Sequence, residues 1–185
     1  MKRTPFKRKD PTEIKKKVAK KQIPKTTKLT VSQREEEILK RYRALMRDKE
    51  VTPSDMLKGK SNATKMANIA WAIFSNYIRK RDHKKYKGKC YTCNRVLQRW
   101  QDMSANHYIT RSRKSTLFDE INVTGGCNVC NNPAMGNGMP RTYAANLDSE
   151  HGDGTARKLY QKSQQTVKAD FWWFLETAEK YINLI

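Results

Sequence analysis

Acidic side chains are scarce in this 185-residue chain: 18 Asp and Glu stand against 39 Lys and Arg, leaving a formal net charge of +21. That excess calls for a polyanionic partner, nucleic acid first and an anionic membrane surface second. Long apolar runs are missing too. No stretch approaches the roughly 20 apolar residues that span a bilayer, so no transmembrane helix is expected. No apolar run follows the first charges, so a secretory signal is not expected. Apolar residues make up 37% of the chain, few enough that part of it is expected to lie outside any packed core. Cysteine is limited to four residues, all in two Cys-x-x-Cys pairs. Without a secretory signal, such pairs argue for reduced thiolates in a cytosol rather than disulfides. The length suits about one domain with a tail, and there is no internal repeat.

What charge there is lies unevenly. Residues 1–28 hold twelve Lys and Arg, two acids and almost no large apolar side chain. A stretch of this kind cannot offset its ordering entropy by burial, so residues 1–30 are expected to form a disordered basic arm, either a phosphate-binding tether or a solubilising or targeting tail. Residues 31–60 read as a helix and linker. Ser32 and Glu35 have capping-box spacing, and Ile38, Leu39, Tyr42, Leu45 and Met46 share a helical face that needs a partner surface, on a second copy or on the same domain. Residues 61–185 are the remaining unit. A helix over about 62–82 carries Met66, Ile69, Ala70, Ile73, Phe74 and Tyr77 as a core stripe. The basic run from Arg79 to Lys89 follows it, and its Lys84, Lys85 and Lys87 are candidate phosphate contacts. Further helices are expected at about 142–150, 155–164 and 168–184, the first two split by Gly152-Asp153-Gly154. Trp172 and Trp173 are adjacent, so they cannot both face the core.

The chemistry is concentrated between the cysteine pairs. Cys90 and Cys93 open the segment and Cys127 and Cys130 close it, with 33 residues between the inner cysteines. Two residues between paired thiolates let both sulfurs reach one ion, so the four fit a tetrahedral structural zinc site. His107 lies inside the loop, Asn122 precedes the second pair and Asn131 follows it. Residues 96–108 and about 115–123 read as short strands joined by the basic turn 110–115. A hairpin followed by a helix from about Cys127 would bring His107, Asn122 and Asn131 together. A histidine of near-neutral pKa is suited to activating water against a phosphodiester, and a divalent ion to neutralising the phosphate and helping the leaving oxygen. Arg111, Arg113 and Lys114 are candidate phosphate contacts beside that centre.

The order Cys-x-x-Cys, His, Asn, Cys-x-x-Cys-Asn resembles the metal-dependent HNH nucleases, a ββα-metal layout with a zinc clamp. More specifically, Asn-Tyr-Ile-Arg-Lys-Arg-Asp at 76–82, His-Tyr-Ile at 107–109, Phe-Asp-Glu-x-Asn at 118–122, Cys-x-x-Cys-Asn at 127–131, Tyr143 with Leu147, and Gln-Thr-Val-Lys at 165–168 are similar to the phage NinG/Rap family. The resemblance covers about residues 66–185, and the N-terminal third departs from it. It implies an α+β fold with a zinc-stapled ββα-metal core flanked by helices. It also implies an endonuclease of phage recombination in the host bacterial cytoplasm, acting on branched DNA such as Holliday junctions or D-loops.

Where many HNH nucleases place an aspartate before the base, this chain has Asn106, and where a histidine often follows the second pair it has Asn131. Neutral amides bring no charge to hold Mg²⁺ or Mn²⁺. Asp119 or Glu120 is the expected source of the missing carboxylate, with Asp102 a weaker option. His107 acts as base or as ligand; Asn122 orients the imidazole, binds metal or caps a turn. His83 is expected to be solvated or to face phosphate, and His151 sits among acids that could form a second metal site. One centre per chain cannot cut a four-way junction symmetrically, which favours a two-fold homodimer. The rival reading is a non-catalytic zinc ribbon that binds nucleic acid or a host polymerase.

Overall fold

The computed structural model describes residues 30–49, 61–132 and 139–185. The basic arm, the linker at 50–60 and the turn-rich run 133–138 lie outside the described residues. Helix α1 (Val31–Asp48) starts on Thr30, whose hydroxyl accepts the Gln33 N–H while the Gln33 side chain takes the Thr30 N–H at 2.8 Å. This box satisfies the same Ser/Thr-x-x-Glu/Gln rule as the expected Ser32–Glu35 pair, two residues earlier. Glu35 instead accepts from the Asn62 amide at 3.1 Å, tying α1 to the start of α2.

Helix α2 (Asn62–Lys85) is the spine of the molecule. Its stripe of Met66, Ile69, Ala70, Ile73 and Phe74 is fully buried. It packs against Phe171, Phe174, Leu175, Ala178 and Ile182 of the last helix, α6 (Phe171–Ile182). Leu39, Tyr42 and Met46 of α1 enter this same core, with Ile38 packed against it, so α1 docks much of its apolar face on its own chain. Burial of each large side chain contributes roughly 1.5–3 kcal/mol. Two shorter helices, α4 (Pro140–His151) and α5 (Thr155–Ser163), place Tyr143, Leu147 and Leu159 around Tyr91 in a second cluster. Among the described residues no helix is long and apolar enough to cross a membrane.

The fold is α+β, and its sheet is small. Strands β1 (Ser104–His107) and β2 (Val123–Gly126) pair antiparallel, with Ser104 opposite Gly126 and His107 opposite Val123. One helical turn, α3 (Asn128–Asn131), follows β2. The sheet is thus shorter and later than the expected strands at 96–108 and 115–123. Residues 100–102 and 114–116 are 3₁₀ turns. Asp119 then forms an Asx turn, its Oδ1 accepting the N–H groups of Ile121 and Asn122, which holds the chain off strand geometry until Val123.

Two contacts lock the sheet to the helices. The buried Asp82 carboxylate of α2 accepts the Gly125 N–H at 2.7 Å and pairs with Arg81. A Cβ on Gly125 would come within 2.8 Å of the Asp82 Cβ, so this approach needs glycine. From the other side, the buried Tyr143 hydroxyl sits 2.6 Å from the Thr124 hydroxyl and 3.0 Å from the Asn106 carbonyl.

Candidate metal site and nucleic-acid cleft

The cysteine knuckles fold by local rules. Lys87, Gly88 and Asn94 adopt positive φ, and Cys90 donates its N–H to the Arg95 carbonyl at 2.8 Å. This tight turn brings both sulfurs of the first pair to those of the second, with Cys90 buried and Cys93 exposed. The second pair straddles the start of α3. All four sulfurs lie within 4.8 Å of one another, and Cys93 and Cys127 are 3.7 Å apart. Thiolates held about 2.3 Å from a tetrahedral zinc sit about 3.8 Å from each other, so the donor set fits a metal such as zinc. Burial pushes the Cys90 and Cys130 thiols up. Burial pushes Cys127 the same way, yet hydrogen bonds from the Cys130 backbone and the neighbouring sulfurs bring it down to about 7. A bound cation is what would hold all four as thiolates together.

Across the sheet lies an open cleft of about 580 Å³, walled by α2, β1 and the start of the 110–114 loop, with Asn131 at its α3 side. His107 ends β1 and lines it. Its Nε2 sits 3.0 Å from the Leu117 carbonyl. A carbonyl only accepts, so Nε2 carries the proton and Nδ1 is left with its lone pair. Trp71 stacks on the imidazole at 4.9 Å and 27°, and the Arg111 guanidinium lies 4.1 Å from the Trp71 ring. Burial lowers the His107 pKa to about 4, opposed by the Leu117 carbonyl and assisted by Arg111. The ring is therefore neutral at neutral pH. Arg79 also lines the cleft, its guanidinium 5.1 Å from the Trp100 ring.

The other expected residues are dispersed. Asn122 is fully buried and points into the backbone: its Oδ1 accepts the Ile109 N–H at 2.7 Å, and its Nδ2 donates to the carbonyls of Ile109 (3.1 Å) and Thr116 (2.9 Å). It stitches the loop that presents Leu117 to His107. Asp119 lies outside the cleft, its carboxylate shared between its Asx turn and Lys162 at 2.6 Å. Glu120 is held by Tyr77, Tyr181 and Arg81, and Asp102 by Arg99. Asn106 faces away from the cleft, packed on Gly126 beside the Cys90 sulfur, with neither amide atom hydrogen-bonded. Among the described residues no carboxylate lines the cleft, so they do not fit a preformed Mg²⁺ or Mn²⁺ site.

Of the basic residues, Arg111 enters the cleft, Arg113 is exposed, and Lys114 lines a different cavity. Lys84, Lys85 and Lys87 are exposed at the far end of α2, where Lys85 pairs with Glu150. His83 is half-buried with its Nε2 3.2 Å from the Leu97 carbonyl, and His151 lies beside Glu150. Trp71, Ser75 and Thr110 are cleft residues that the sequence reading missed. Trp71 carried a signal: a large aromatic on α2 just off the buried stripe.

The family described as the bacteriophage lambda NinG protein matches residues 6–171. The chain belongs to the NinG family. The match begins well before residue 66, so the N-terminal third, expected to depart from the family, is part of it. No curated protein and no solved structure matches.

Proposed function

We propose that this NinG-family protein is a DNA endonuclease that hydrolyses phosphodiester bonds in branched recombination intermediates, in the cytoplasm of a phage-infected bacterium. One observation carries the reading. A neutral histidine, with one nitrogen committed to a backbone carbonyl and the other left as an acceptor, lines a cleft that also holds two arginines. His107 Nδ1 would take the proton of the attacking water as its oxygen bonds to phosphorus, while the ester P–O bond breaks and the departing oxygen takes a proton from solvent. Arg79 and Arg111 would meet the phosphate oxygens, where their charge offsets the charge gained at phosphorus. The arriving phosphate also favours the imidazolium, raising the basicity of His107 above its value in the free protein.

In this reading the four cysteines hold a structural zinc that braces β1, β2 and α3 behind the cleft, in a ββα-metal arrangement. Asn122 keeps the 109–117 loop in place, and Asn131 completes the wall. Symmetric cutting of a four-way junction would take two such centres, hence a two-fold homodimer. The engagement of Asp102, Asp119 and Glu120 elsewhere favours the second reading, a zinc-stabilised module that binds DNA without cutting it.

The two readings separate on labelled four-way junction, flap and linear duplex, each incubated with Mg²⁺, Mn²⁺ or EDTA. Cleavage of the branched substrates ahead of duplex supports the nuclease. Tight binding with no cleavage under any condition supports the binding module.

A further inference from the structure

A second cavity, of about 450 Å³, lies between the 114–119 turn, α5 and α6. It falls in the size range of small-ligand sites. Phe118 and Trp173 form its aromatic wall, their ring centroids 5.2 Å apart, and Trp173 is half-buried. Lys114, Lys162 and Lys180 line it, Lys162 paired with Asp119 and Lys180 with Glu120, so Lys114 is the cation there without an acidic partner among the described residues, and Glu176 and Thr177 add a carboxylate and a hydroxyl. Aromatic faces bordered by cations are what an unstacked base and its phosphate bind, because every base has a π-face and every linkage a negative charge.

Its position adds a second argument. The turn that supplies Lys114 and Phe118 to this cavity also supplies the Leu117 carbonyl that holds His107. One turn is thus the partition between the two cavities.

We propose that this cavity captures an unpaired nucleobase at a DNA branch point, stacked on Trp173, and that this capture selects branched over duplex DNA. The proposal rests on the nuclease reading for its biological sense, but the binding it describes does not need cleavage. A fully paired duplex offers no free base without paying to unstack one, whereas a branch point does so cheaply.

The test measures binding of the full chain in EDTA to a forked DNA carrying one unpaired base at the branch, to the same fork with an abasic site there, and to matched duplex. The wild-type protein should prefer the intact fork over the abasic one by roughly tenfold to a hundredfold. Trp173→Ala should abolish that preference and Trp173→Phe should keep it. Because Trp173 also packs on Phe118, Thr177→Met serves as a second variant: it narrows the cavity, leaves the tryptophan in place and should also cut the preference. Equal binding of intact and abasic forks by the wild type, or full discrimination by Trp173→Ala, would overturn the proposal. Absence of cleavage in every metal, with base-dependent binding intact, would leave the capture site standing and remove only the nuclease reading.

Discussion

Replacing Asn122 with alanine should cost this protein about 3 kcal/mol, because three hydrogen bonds to backbone groups, one buried and two part-buried, pass through one carboxamide. The Ile109 N–H, the Ile109 carbonyl and the Thr116 carbonyl all end on Asn122, which has no solvent exposure. Each such bond contributes about 1 kcal/mol net, and a buried group left unpaired costs 1–3 kcal/mol. For a chain of this size each kcal/mol moves the melting temperature by roughly 2–4 °C, so a fall of about 6–12 °C is expected. Differential scanning calorimetry or circular dichroism melts would read it. Asn122→Asp should not rescue the loss, since it removes both donated bonds and buries a charge. A shift under about 2 °C for Asn122→Ala would refute the argument and return Asn122 to the role of an adaptable ligand at the site.

Other perturbations follow from the same geometry. His107 has a folded pKa of about 4 against 6.5 in the unfolded chain, so the unfolded state takes up the proton first. Its contribution is therefore fully present above pH 6.5 and lost as pH falls towards 4, about 3 kcal/mol in all, and denaturant melts of His107→Gln should show a flatter decline across that window. Removing metal with a strong chelator should lower the melting temperature, and elemental analysis should find one zinc per chain; full stability after removal would contradict the four-cysteine clamp. Gly125→Ala should destabilise by about 2 kcal/mol, because the new methyl meets the Asp82 Cβ at 2.8 Å and the Met103 sulfur at 3.0 Å, a loss that chemical denaturation would measure.

The four-cysteine cluster was legible because its information is local: a two-residue spacer aims both sulfurs of each pair. The long helices were legible for the same reason, the stripe on α2 recurring every three or four residues. The strands were not, since β1 and β2 are four residues each and β2 ends in two glycines whose value lies in approach to Asp82 and Asn106, contacts that no periodicity encodes. The fate of the carboxylates was equally hidden. Asp119 looked available next to Asn122, but its partner Lys162 is on α5, brought in only by tertiary packing. Arg79 and Trp71 enter the cleft because α2 runs along β1, whereas Lys84 and Lys85, in the last turn of the same helix, do not line it.

The most direct test of the central claim pairs single-turnover cleavage with binding on one four-way junction, comparing wild type with His107→Ala. The account predicts a cleavage rate lower by at least about a hundredfold with affinity changed by less than about threefold, as expected when a general base is lost from an intact protein. Undiminished cleavage by His107→Ala would contradict the account and move the reacting centre away from this cleft.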